Sequence, residues 1–242
     1  MSLSKKNIKL LQSLRRKKDR QKLGLFVVEG KKSVKEFMES KRFQLHEIFV
    51  TSDLMENYPN AIEISLQDLK KVSSLVNPDD CIAVFEIPTS PVAEGKELTL
   101  ALDRITDPGN LGTIIRLADW FGVKQIWCSH GTVDLYNPKV IQATMGSLTR
   151  VEVVYLDLEH TIQNSNLPVI ATAMDGESVY KTSLPSKSII VLGNEANGIS
   201  SEIFDRADHK ISIPRFNNHK KTESLNVAMA SGILLSEFRR RS

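Results

Sequence analysis

The sequence predicts an α/β protein in two parts: a small N-terminal α/β domain carrying a basic arm over residues 1–92, and a parallel-sheet domain over residues 97–242. Three features predict it. Short β-branched or apolar runs without internal turn residues recur along the chain, and helical patterns separate most of them. The stretch PTSPVAEGKE, residues 88–97, gathers prolines, a glycine and charges as a linker does. Beyond it the alternation becomes regular, and strands alternating with helices pair in parallel with helices on both faces.

The chain opens on the arm. Residues 5–22 carry nine cations against one acid, Asp19, while the whole chain has a net charge of only +3. Ile8, Leu11 and Leu14 are spaced as one helical face, so the arm is expected to be an amphipathic helix whose wet side meets phosphates or simply faces water. The runs LFVVEG, HEIFVT and CIAVFEIP then alternate with the helix-like KKSVKEFMESK and DLKKVSSLV up to residue 88. In the second part the strand candidates are LTLALDRI, VKQIWCS, VEVVYLD, PVIATAM, SIIVLG and HKISIP. Helices are expected over 111–121, about 138–147 and 200–206, and a long final one from Leu225 to about Arg239.

Composition narrows the class. With 41% hydrophobic and 25% charged residues the chain reads as an ordinary globular protein. No apolar run approaches the roughly 20 residues that cross a bilayer, and the N-terminus lacks a signal-peptide core, so the expected location is the cytoplasm. Cys81 and Cys128 sit inside apolar runs without metal or disulfide spacing and are expected to be buried thiols. The five histidines show no ligand spacing, so no metal is expected; His219 alone, in a polar loop, is a candidate nucleic-acid contact.

Ligands of open parallel sheets bind outside the carboxyl ends of the strands, which directs attention to three loops. In DRITDPGNLGTIIRLADWFGV, Asn110 is placed to cap the following helix, and Arg116 stands among Ile114, Ile115, Leu117 and Ala118. A guanidinium buried there needs an anionic partner, from a ligand or from within the chain, unless it snorkels to water. In IVLGNEANGIS, residues 190–200, glycines follow a strand as in a dinucleotide loop, yet the loop follows the second-last strand and carries Glu195, which would repel a pyrophosphate. An adenosine with a cationic or zwitterionic tail fits better than a nicotinamide dinucleotide. In ISIPRFNNHKKTESLNVAMASGILLSEF, Ser224 is the expected N-cap of the last helix, and Asn226 is free for an outside contact. Ala228, Ala230, Ser231 and Gly232 are small, as close packing within the chain or a dimer face requires.

These three stretches, in this order, resemble the signature motifs of the SpoU (TrmH-like) family of knotted RNA 2′-O-ribose methyltransferases in the SPOUT superfamily. Asn110 and Arg116 match the first motif; Gly193, Glu195 and Gly198 the second; Ile213, Pro214, Ser224, Leu225 and Asn226 the third. LFVVEGKKSVKEFMES resembles, more loosely, a ribosomal-protein-like substrate-binding domain. The chain departs from the family in the long RFNNHKKTE segment after Pro214, where members usually have Met-x-Gly.

The resemblance implies a trefoil knot, a homodimer, S-adenosyl-L-methionine as cofactor and methyl transfer to a ribose 2′-hydroxyl of structured RNA. Ribosomal RNA is favoured; a transfer RNA enzyme and a non-catalytic RNA-binding protein are the alternatives. It assigns cofactor contacts to Thr172, Leu192, Gly193, Asn194, Gly198, Ile213, Pro214, Ser224 and Leu225. Catalytic roles fall to Asn110, Arg116, Glu195, Ser224 and Asn226, with Arg116 on the RNA phosphate and Glu195 accepting from Arg116 or loop amides. Arg15, Arg16, Lys17, Lys18 and Arg20 of the arm are the further expected RNA contacts.

Overall fold

A computed structural model describes residues 3–95, 97–216 and 224–240. It divides into two compact units, one of residues 1–89 with 134–149, the other of residues 90–133 with 150–242.

In the first unit the arm is not one helix but two, α1 (Lys5–Ser13) and α2 (Lys17–Leu23). Ser4 caps α1 through its hydroxyl, and Gly24, at φ +66°, ends α2 in the left-handed region that glycine adopts without strain. Leu3, Leu11 and Leu14 are buried against Leu69 and Val72, so the arm is docked by its apolar face. That docking corrects one expectation. Arg20 is 3% exposed, pairs with Asp134 and donates to the carbonyls of Leu14 (2.8 Å) and Arg15 (2.9 Å). It stitches the helix junction, because a guanidinium so buried must spend its donors on the chain, and it offers nothing to RNA. Arg15 donates to the carbonyls of Val72 and Ser73, and Arg16 pairs with Asp19 at 2.6 Å. Lys17 and Lys18 are exposed.

The arm covers a four-stranded sheet in the order β1 (Leu25–Glu29), β4 (Cys81–Glu86), β2 (Leu45–Val50), β3 (Ile62–Glu63). α3 (Lys31–Glu39) and α4 (Leu66–Val72) complete the pattern expected from the sequence; the two-residue β3 was not anticipated. Period-two alternation splits β1 and β4 between two cores. Leu25, Val27, Ile82 and Val84 meet the leucines of the arm. Phe26 and Phe85 face Phe37 and Phe43 in an aromatic cluster that Tyr136 joins at 4.6 Å from Phe26. Tyr136 precedes α6 (Pro138–Thr144), which packs on β1, so a segment from the middle of the chain completes this unit. Cys81 is buried as expected, and burial pushes its thiol up to about 12.

The second unit is a six-stranded parallel sheet in the order β10 (His209–Ser212), β8 (Val169–Ser178), β9 (Ile189–Gly193), β5 (Thr99–Asp103), β6 (Gln125–Ser129), β7 (Glu152–Leu156). Every strand candidate is present, and β8 runs four residues past the expected end at Met174. All five residues of β5 are buried, as in a strand covered on both faces. α5 (Pro108–Trp120) packs against α9 (Val227–Arg240), and α7 (Leu158–Gln163) against α8 (Ser201–Arg206). α7 was not foreseen. Asp157 caps it by accepting from the His160 amide, a local signal that six residues of pattern did not make visible. Ala228 and Ser231 of α9 are buried, and Gly232 faces Leu117 of α5, so these small residues pack within the chain. No helix among the described residues is long and apolar enough to cross a membrane.

Candidate active site

β8, the carboxyl end of β9, the segments that follow β9 and β10, and the start of α9 come together around one cavity of about 730 Å³. Gly193 closes β9, and the chain then doubles back so tightly that a Cβ on Gly193 would lie 2.3 Å from the carbonyl carbon of Gly198 and 2.4 Å from the Ile199 nitrogen. Only glycine fits. Asn194 and Gly198 exchange backbone hydrogen bonds of 3.1 and 2.8 Å, with Gly198 at φ +67° making the return. The Asn194 side chain holds the turn from inside, accepting from the amides of Ala196 (2.8 Å) and Asn197 (3.2 Å) and donating to the Arg104 carbonyl (2.8 Å). The buried Asp103 at the end of β5 accepts from the Ser200 amide at 2.8 Å. The loop is thus tied at both sides to β5, which fixes where Glu195 projects.

Two capping expectations are corrected here. Asp107, not Asn110, is the N-cap of α5, accepting from the Asn110 amide at 2.8 Å; Pro108 fills the first turn, where its missing N–H is harmless. Likewise Asn226, not Ser224, caps α9, its Oδ1 accepting from the amides of Ala228 (3.0 Å) and Met229 (3.2 Å). Relieved of capping, the Asn110 side chain becomes the middle of a chain of hydrogen bonds. Asn226 Nδ2 donates to Asn110 Oδ1 at 2.9 Å, and Asn110 Nδ2 donates to the Glu195 carboxylate. Glu195 therefore takes its side-chain bond from Asn110 rather than from Arg116. One residue from each of the three loops is locked to the next, and the one carboxylate among them lines the cavity.

Arg116 is the largest correction. It is exposed, because the buried stripe of α5 consists of Leu111, Gly112, Ile114, Ile115 and Ala118 and leaves position 116 on the wet side with Thr113 and Trp120. It has no hydrogen-bond or ionic partner among the described residues and does not line the cavity. The structure brings Asn110, Glu195 and Asn226 together and leaves the Arg116 guanidinium in solvent.

All nine residues expected to hold a cofactor line the cavity. Thr172 stands mid-way along β8, its hydroxyl donating to the Val191 carbonyl at 3.0 Å. Leu192 and Gly193 end β9, Asn194 and Gly198 form its loop, Ile213 and Pro214 follow β10, and Ser224 and Leu225 lead into α9. The sequence did not single out Ile211 and Leu234, which add to the apolar wall, or Met174 and Phe216, which are 70% and 85% exposed. Alternation along β10 would have found Ile211; Met174 closes the expected strand of β8, and Phe216 lies beyond β10, where strand periodicity carries no signal. His219 lies outside the described residues. Among the described residues no cluster of three or more His, Cys, Asp or Glu could hold a metal ion.

The cavity suits a nucleoside with a charged but phosphate-free tail. Its walls are mainly aliphatic, its glycine loop lets a ligand approach backbone closely, and Glu195 would oppose a phosphate while favouring a cation.

Known proteins share this fold. The model of the SpoU rRNA methylase family matches residues 97–236, and that of an MRM3-like substrate binding domain matches residues 5–83. The Bacillus subtilis 23S rRNA (guanosine(2553)-2′-O)-methyltransferase RlmP is 28% identical, over 98% of this chain and 98% of its own length. A solved structure from Porphyromonas gingivalis, described under the TrmH family of RNA methyltransferases, superposes with a TM-score of 0.89 at 38% identity, covering all of both chains. An AdoMet-bound rRNA methyltransferase from Sinorhizobium meliloti gives 0.88 at 28% identity, covering 100% of this chain and 97% of that one. With three motifs locked around one cavity and a family match over more than half its length, the chain belongs to the SpoU rRNA methylase family.

Proposed function

We infer that this chain transfers a methyl group from S-adenosyl-L-methionine to a ribose 2′-hydroxyl of structured RNA, ribosomal RNA before transfer RNA. The observation that carries the reading is the Asn226–Asn110–Glu195 chain at the edge of an aliphatic, glycine-floored cavity. The ribosomal preference is supported by a Bacillus subtilis relative that aligns end to end and is named for 23S rRNA, and by the substrate-binding-domain match at residues 5–83.

Bound in the cavity, S-adenosylmethionine supplies a methyl group already activated on a sulfonium. The protein's work is then alignment and proton removal, and alignment alone can be worth on the order of 7–11 kcal/mol. Gly193, Ile213 and Leu225 hold the cofactor by backbone, Leu192 and Pro214 by apolar contact, and Thr172, Asn194, Gly198 and Ser224 shape the walls. Glu195, steered by Asn110, favours the cationic donor. Asn110, Asn226 and Ser224 orient the ribose. Arg116 binds the RNA phosphate beside it and polarises the hydroxyl; a guanidinium is too weak an acid to serve as the base. Exposure without an internal partner suits that anchoring task.

Two copies are expected to act together, since Trp120 on α5 and Met229 on α9 stand 85% and 65% exposed on helices that pack against each other. The knot and a cytoplasmic location belong to the same reading. Arg116→Ala should lower turnover at least 100-fold, the scale of losing a transition-state contact, while cofactor affinity changes less than about twofold. Near-normal rates would remove Arg116 from the mechanism. Titration of the unaltered chain with S-adenosylmethionine and with a nicotinamide dinucleotide tests the cofactor, and binding of the dinucleotide alone would overturn the reading.

A further inference from the structure

Two aromatic side chains near the cavity mouth have no task in the site so far described. Phe216, two residues beyond Pro214, lines the cavity yet leaves 85% of its surface in water. Tyr180, which follows β8, is 39% exposed and does not line the cavity. Their ring centroids lie 6.5 Å apart with planes inclined by 31°. That separation is at the long end for a pair of rings in direct contact and close to the roughly 6.8 Å that two stacking distances of about 3.4 Å would occupy. A phenylalanine face in solvent at the edge of a binding cavity is a surface on which a flat group can stack.

The neighbouring charges say what. Each ring is next to a cation in the chain, Phe216 beside Arg215 and Tyr180 beside Lys181. Such cations favour a polyanion whose bases lie on the rings while its phosphates meet the side chains. Unpaired RNA bases are held in this way, by stacking on aromatic faces.

We propose that Tyr180 and Phe216 form a stacking platform for an unpaired RNA base next to the methylated nucleotide. This rests on the RNA methyltransferase reading and adds to it a requirement that the target lie in a loop, bulge or otherwise unstacked segment. Of the two rings only Phe216 lies in the stretch after Pro214 where this chain departs from its family.

The test uses the full chain and a short single-stranded RNA with one central 2-aminopurine, whose fluorescence falls when it stacks. The unaltered protein should quench it. Tyr180→Ala and Phe216→Ala should each weaken RNA binding about tenfold, the size of one lost base–aromatic stack, and reduce the quench, while Tyr180→Phe and Phe216→Trp retain both. S-adenosylmethionine titration of Tyr180→Ala, which lies outside the cavity lining, should stay within about twofold of the unaltered chain. Unchanged RNA affinity in both alanine variants overturns the platform. So does loss of cofactor affinity with RNA binding intact, which would make Phe216 a cofactor wall. Methyl transfer by the unaltered chain to ribosomal RNA, measured alongside, separates the two readings: transfer without quenching sinks the platform alone, whereas absence of transfer sinks the enzyme.

Discussion

Asp68 is a buried carboxylate with its bonds made. It accepts from the Leu3 amide at 3.0 Å and from Lys71 at 2.9 Å, and so ties the first turn of the arm to α4. Lys71 first, and the Leu3 amide second, hold its carboxyl down to about 2 from the usual 3.8, against a smaller upward push from burial. The unfolded chain therefore binds this proton at a higher pH than the folded one. Its stabilisation is complete above about pH 4 and is lost as the pH falls toward about 2. Asp68→Asn should flatten the acid limb of stability between these values, read from urea midpoints at pH 5 and pH 3 by circular dichroism; an acid slope equal to that of the unaltered chain would show the carboxylate to be idle. Arg20 is its counterpart in kind, a charge that the sequence offered to RNA and the fold consumed. What made Arg20 illegible is that exposure depends on Asp134, more than a hundred residues away, whereas the pattern of the arm is local. Arg116 failed in the opposite direction. Its neighbours in sequence are apolar, but a period of 3.6 places it opposite them, and that reading was open from the sequence alone.

The loop after β9 shows how two glycines of one motif do different work. Gly193 is required by space, since its absent Cβ would strike the backbone of Gly198 and Ile199, while Gly198 is required by its torsion and has nothing within 4 Å of an added Cβ. Gly198→Ala should then cost about 1–2 kcal/mol from left-handed strain and leave cofactor binding measurable. Gly193→Ala should force the loop off β9, destabilising by about 1–3 kcal/mol or more and removing cofactor binding. Thermal unfolding with and without S-adenosylmethionine distinguishes them: equal ligand-induced shifts in both variants would contradict the geometry. Motif residues of this sort were legible because the chemistry is carried by neighbours in the chain. The strands of the parallel sheet were legible because burial on both faces writes an unbroken apolar run. The caps were not: Asp107 and Asn110, or Ser224 and Asn226, are equally plausible in sequence, and only contacts between loops show that Asp107 is spent on the helix end and Asn110 on Glu195, while Asn226 serves both cap and site.

In the molecule as a whole, α5 and α9 supply both the Asn110–Asn226 link and the exposed Trp120 and Met229. If two copies pair through these helices, Trp120→Glu should convert a species of twice the chain mass into one of single mass by sedimentation, with the fold intact. An unaltered chain that already sediments at single mass would end the dimer proposal. The division into units has another effect. The polypeptide passes between them three times, because residues 134–149 lie inside the span of the methylase-family match yet complete the first unit, where α6 covers β1 and Tyr136 joins the phenylalanines. Severing the chain at residues 88–97 would thus not yield two self-sufficient modules. The N-terminal fragment would lose one wall of its aromatic cluster, and the other would carry an orphaned apolar helix. A unit of this construction cannot be exchanged as a cassette by recombination at the linker; it can change only by substitution in place.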